Sequence, residues 1–191
     1  MYSAKPLRYQ KVDGKQVIQI RINKALQLFD SRDPAPFRDR DLDDDFTDYV
    51  ITSADEIPQR FPIKLQISIA GRTPDLDAES IVDAIRSHFS YQIDLKKIQF
   101  SKMLRMARLF LAVGLVILTS CLFLARWTQT VHSEFVGSTL REGIVIFGWV
   151  SLWKPIELIL FDWYPIYERI ELFQKILNSE IEIRFDVNTS T

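Results

Sequence analysis

At 191 residues, 47% apolar and 26% charged, the chain is long enough for one modest domain and too apolar for a disordered tail. Its net charge of −1 excludes the basic surface that non-specific nucleic-acid binding needs, so no nucleic-acid partner is expected. One cysteine, Cys121, excludes an internal disulfide framework and a cysteine-based zinc site. Two distant histidines, His88 and His132, exclude a histidine-rich metal centre, so neither metal nor cofactor is expected.

Residues 1–14 are polar, with Pro6 and Gly14 as breakers. They lack the basic start, apolar stretch and cleavage site of a secretory signal, so the N-terminus is expected in the cytosol. Residues 16–22 then alternate, with Ile18, Ile20 and Ile22 on one side and Gln19 and Arg21 on the other. That is the period of a half-buried strand. Pro34 and Pro36 mark a loop. From Asp43 the pattern turns helical: Asp43, Asp44 and Asp45 complement the helix dipole, Phe46, Val50, Ala54 and Ile57 share a face, and Pro58 stops it.

Residues 63–69 alternate again through Ile63, Leu65, Ile67 and Ile69. Thr73-Pro74 has the form of a helix start, and Ile81, Val82, Ile85 and Phe89 make an apolar stripe. Residues 89–95 alternate as well, but no turn signal separates them from helical neighbours, so one helix is expected from about Asp77 onward. Residues 180–187 supply a third strand through Ile181, Ile183, Phe185 and Val187. The fold expected is α+β: a small three-stranded sheet with helices on one face, plus a two-helix transmembrane hairpin.

The hairpin rests on two apolar stretches. Leu109 to Ala125 is seventeen residues without a charge, bracketed by Arg108 and Arg126. At ~1.5 Å per residue it is about 25 Å long, the short end of a span. Gly143 to Phe161 is the second, interrupted by Lys154, Pro155 and Glu157. Trp149, Trp153, Trp163 and Tyr164 are expected interface anchors. Arg86, Lys96, Lys97, Lys102, Arg105 and Arg108 precede the first span, against Arg126 and Arg141 between the spans, so both termini are expected in the cytosol. The expected division is 1–105 cytoplasmic, 106–126 first span, 127–140 external loop, 141–162 second span and 163–191 cytoplasmic, the last strand completing the sheet.

Three sites follow. Lys154 and Glu157 lie three apart, one helix face, and an intramembrane charged pair is costly enough to suggest function. Pro155 between them predicts a kink. The run Asp39-Arg40-Asp41-Leu42-Asp43-Asp44-Asp45 fails the EF-hand pattern, having no glycine or glutamate at the required positions. It reads as a helix start with a charged loop, and Asp33, Phe37, Arg40, Asp41 and Asp43 are candidates for docking. No G-x-S-x-G, phosphate-binding glycine loop or H-E-x-x-H occurs, so no catalytic residue is assigned and an enzyme is not expected. His88 reads as a boundary residue and Cys121 as a packing residue.

Two stretches carry a resemblance. Asp33, Pro34, Pro36, Phe37, Arg40, Asp41, Leu42 and Asp43 fit the element L-D-P-x-P-F-x-x-[RK]-D-L-D, with Arg32 in place of the leucine. Trp153, Lys154, Pro155, Ile156 and Glu157, then Asp162, Trp163 and Pro165, fit W-[RK]-P-[IL]-E followed by an acidic residue, Trp and Pro. The chain thereby resembles a widespread family of small bacterial inner-membrane proteins with two transmembrane helices. The resemblance implies location and topology, not a reaction. The expected role is a self-associating or partner-docking component in the lipid bilayer. A subunit of an oligomeric channel or transporter using Lys154 and Glu157 is the alternative, and a metal-dependent enzyme using Asp39 to Asp45 the more remote one.

Overall fold

The computed structural model describes residues 9–31, 33, 40–70, 77–128 and 134–186. Arg32, Pro34, Pro36, Phe37, Asp39 and the Thr73-Pro74 helix start lie outside the described residues. The chain divides into two units, Met1–Leu95 with Arg169–Thr191, and Lys96–Glu168.

The first unit is built on a mixed sheet in the order β1-β2-β3-β4. Strand β1 (Gln10–Val12) runs antiparallel to β2 (Lys15–Ile22), while β3 (Ile63–Ala70) is parallel to both β2 and β4 (Glu180–Asp186). The three expected strands are β2, β3 and β4. The fourth, β1, corrects the count. It is three exposed residues long, so alternation cannot reveal it. Its signal is the dipeptide Asp13-Gly14, whose φ angles of 49° and 81° suit the tight turn that matches strand twist.

Register explains the core. Ile18, Leu65 and Ile181 form one cross-strand row, Ile20, Ile67 and Ile183 the next, and Ile22, Ile69 and Phe185 the third. A slip of one residue would turn every one of them outward. Helix α1 (Asp44–Asp55), the first turns of α2 (Ala78–Thr128) and the last turns of α5 (Tyr164–Leu177) close this face with Val50, Phe89 and Ile176 among others. In the α2 stripe Ala84 is buried and Val82 only half-buried, so the apolar face is rotated slightly from the one the spacing predicts. Helix α2 starts at Ala78, with the Asp77 carboxylate accepting from the Ser80 N–H at 3.0 Å.

Each parallel pair needs a crossover. Residues 23–62 cross from β2 to β3 through a 3-10 turn (Ala25–Leu28) and α1. Residues 71–179 cross from β3 to β4 and contain the whole second unit.

In the second unit α2 continues to Thr128 and α3 spans Glu134–Val150, so helix occupies nine of the fourteen residues expected as external loop. The second apolar stretch is not one helix. The ladder breaks at Ser151 and Leu152, resumes as α4 (Trp153–Glu157), widens into a π-helical turn (Leu158–Asp162) and passes into α5. Pro155 supplies the cause: it has no N–H to give the Ser151 carbonyl, and its ring crowds that carbonyl. In the first turn of α4 the same proline is tolerated.

Two glycines set the packing of α2 against this stretch. A Cβ on Gly114 would lie 2.9 Å from Leu152 Cδ2 and 3.0 Å from the Ser151 carbonyl oxygen. One on Gly148 would lie 3.0 Å from Leu118 Cδ1 and 3.1 Å from Cys121 Cβ. The Ser151 hydroxyl is in reach of the carbonyls of Gly148 (2.6 Å) and, across the helix pair, Gly114 (3.2 Å). Small residues at a close crossing, joined by a hydroxyl, are how helices associate where no water drives them together. Two helical stretches, Ala78–Trp127 and Ser138–Leu177, are long and apolar enough to cross a membrane. Only 11% and 22% of their most apolar windows are buried, unlike the core helix of a soluble domain.

Candidate functional site

Within the second unit the break brings three charges together. Lys154 Nζ is 3.0 Å from Glu157 Oε2, its neighbour one turn on. It is also 4.0 Å from Asp162 Oδ2. The π-helical turn between them holds extra residues per turn and returns Asp162 to the lysine; such turns recur at functional sites. One cation and two carboxylates leave the group one negative charge in excess. All three side chains are partly exposed, while Pro155 beneath them is buried. The Lys154–Glu157 spacing is legible in sequence. Asp162 is not, because eight residues is no helical neighbour until the turn widens.

The aromatic residues divide. Trp149 and Trp153 project outward, at 62% and 72% exposure. Trp163 makes edge contacts with Tyr164 and Tyr167, ring centroids 6.0 Å apart in each case. Tyr167, not among the expected anchors, completes that cluster.

In the first unit the charged loop is occupied with its own backbone. Asp33 Oδ2 accepts from the Asp41 N–H at 2.8 Å, and Arg40 Nε donates to the Asp30 carbonyl at 2.9 Å. Asp43 Oδ1 accepts from the N–H groups of Asp45 (3.1 Å) and Phe46 (3.2 Å), capping α1. Phe29 and Leu42 form an isolated bridge, and both are buried. These groups pin Leu28, Asp30 and Asp33 to residues 40–43. Among the described residues no group of three or more His, Cys, Asp or Glu is placed to hold a metal ion. His88 packs edge-on to Phe89, and its two ring nitrogens are buried with no hydrogen-bond partner among the described residues.

The outer face of the sheet carries charges that alternation marks only as polar. Glu180 is 2.6 Å from both Lys15 and Lys64, Lys64 is 2.9 Å from Glu182, and Glu182 is 2.6 Å from Arg184. Arg21 is 3.6 Å from Asp186. The ladder crosses β2, β3 and β4, so it exists only once their register does. Hydrogen bonds from Lys15 and then Lys64 hold the Glu180 carboxyl down at about 2. Glu182 is lowered by Lys64 and Arg184, and Lys64 is raised by Glu180 and Glu182. A mostly parallel sheet ordinarily has both faces covered. Here one face is polar, and β4 is an edge strand with one side unpaired within the sheet.

Comparison with protein-family models, with curated proteins and with solved structures finds no match to this chain.

Proposed function

We propose that the chain is a non-enzymatic integral protein of the bacterial inner membrane. It crosses twice, with both termini cytoplasmic, and its cytoplasmic sheet docks a partner protein or a second copy. The observation that carries the docking role is the charged face of the sheet, which no element among the described residues covers, beside the edge of β4 that is unpaired within the sheet. Free strand edges template pairing with another chain, and complementary charge selects which one. The membrane placement is supported by two apolar stretches that leave most of their surface unburied, and the inner-membrane location by the family resemblance.

The test is native mass spectrometry of the full chain from nanodiscs, beside a variant carrying Arg21→Glu and Arg184→Glu. The wild type should appear as an oligomer or with a bound partner, and the variant as a monomer. A wild type that is monomeric and partner-free would remove the docking role.

A second reading is favoured by one observation, the excess negative charge of Lys154 and Glu157 in the second apolar stretch together with Asp162 at its end. Two helices enclose no pore, so conduction requires a ring of copies. Cation flux into proteoliposomes, abolished by Glu157→Gln, is its expected result. No flux from the wild type would dismiss it.

A further inference from the structure

A second pair of charges lies in the same unit, away from Lys154. Gly114 meets Leu152, and Gly148 meets Leu118 and Cys121, so α2 and α3 run antiparallel. Followed about two turns further, that register brings Arg126 level with Arg141. Both arginines line one cleft of about 480 Å³, with Thr119, Leu122, Phe123 and Val145 among its walls. The Thr119 hydroxyl is turned to its own helix, 2.8 Å from the Leu115 carbonyl and 2.9 Å from that of Val116. Among the described residues no carboxylate lines the cleft or pairs with either arginine.

Two guanidinium groups in one cleft repel each other unless an anion lies between them. Their planar forks match the oxygens of a phosphate. The remaining walls are hydrocarbon, which inorganic phosphate would leave uncovered and an acyl chain would cover. A zwitterionic headgroup would bring a third cation toward the arginines; an anionic one would not. Basic pockets between transmembrane helices on the cytoplasmic side bind anionic headgroups; in the proposed topology this cleft offers the same chemistry to the outer leaflet.

We infer that this cleft binds an anionic phospholipid. Its phosphate lies between Arg126 and Arg141, and an acyl chain lies against Leu122, Phe123 and Val145. The inference rests on reading the two apolar stretches as membrane spans.

The experiment uses the full chain. It is first floated with liposomes, then placed in nanodiscs of equal phosphatidylglycerol and phosphatidylcholine. The lipids retained on release are counted by native mass spectrometry. The wild type should retain phosphatidylglycerol over phosphatidylcholine by about tenfold, a difference of ~1.4 kcal/mol. Arg126→Gln with Arg141→Gln should lose the preference, and the paired lysine variant should keep part of it. Excess inorganic phosphate should not strip the lipid.

A wild type with no preference overturns the site, and that result needs no variant to fold. A glutamine variant that folds and keeps the full preference also overturns it. Displacement by inorganic phosphate would make this a free-anion site and overturn the lipid. Failure to float with any liposome would overturn the membrane reading itself, whereas flotation without selectivity overturns this site alone.

Discussion

Glu180 accepts hydrogen bonds from Lys15 and Lys64, and its carboxyl is held at about 2 against an ordinary value near 4.5. A depressed carboxylate stabilises the fold fully above its unfolded value and ceases to do so as pH falls through its folded one. Glu180→Gln should therefore be less stable than wild type at pH 6. The difference should shrink steadily from about pH 4.5 to pH 2 in urea titrations, and shrink in high salt as well. Asp43 stabilises differently, through the first turn of α1. Asp43→Ala should cost about 1 kcal/mol in the same titration, with Asp43→Asn close to wild type. The two residues differ in legibility. Asp43 announces its role locally, as an acid just before a helical period. Glu180, Lys64 and Lys15 are far apart in the chain, and nothing local says that they meet. The same holds for Asp33 and Arg40, which read as a docking loop and in the structure tie the chain to itself.

Elements with strong periods are legible to within a residue or two. Strands β2, β3 and β4 and helices α1 and α2 fall where the spacing of Ile18, Ile67, Ile183, Val50 and Phe89 places them. Hydrophobic period is set by which face is buried, and here one face is buried throughout. Strand β1 escapes because it buries nothing, and only Asp13-Gly14 marks it. The break at Ser151 lies four residues before its cause, Pro155, and the π-helical turn after it has no pattern of its own. The close crossing of α2 and α3 gives the sharpest prediction at this scale. An added Cβ at Gly148 falls 3.1 Å from Cys121 Cβ, a few tenths of an ångström short of the range of about 3.5–4.5 Å that a disulfide needs, so a small outward shift of the helices brings the pair into it. Gly148→Cys should therefore oxidise to an intramolecular bond with Cys121, the chain's own single cysteine. Two thiols should label before oxidation and none after. Both thiols still labelling would mean that the helices do not cross there. Gly114→Val should loosen the same crossing and lower the thermal midpoint, because the backbone of Ser151 stands in its way.

The whole molecule is organised by one connection. Strands β3 and β4 are paired in parallel, yet residues 71–179 intervene. A segment that leaves a sheet and returns to it crosses a bilayer an even number of times, and two apolar stretches fit that parity. Charge bias around the spans points to the same topology by unrelated physics. Reporter fusions after residue 95 and at the C-terminus should therefore give the same cytoplasmic signal, and a fusion at residue 131 the opposite one. Composition alone makes the two apolar stretches legible, whereas the parallel order of the sheet requires the pairing itself.

That order has a consequence for how the protein is made. A ribosome releases β1, β2 and β3 early and β4 last, after both apolar stretches have left the tunnel. Until then the outer edge of β3, with Leu65 and Ile67 on its buried face, has no final partner. A chain in which residues 71–179 are not in place cannot deliver β4, and keeps the edge of β3 unpaired. The last strand in the chain is thus the one that closes the sheet, and the fold is complete only when both ends of the long connection have met.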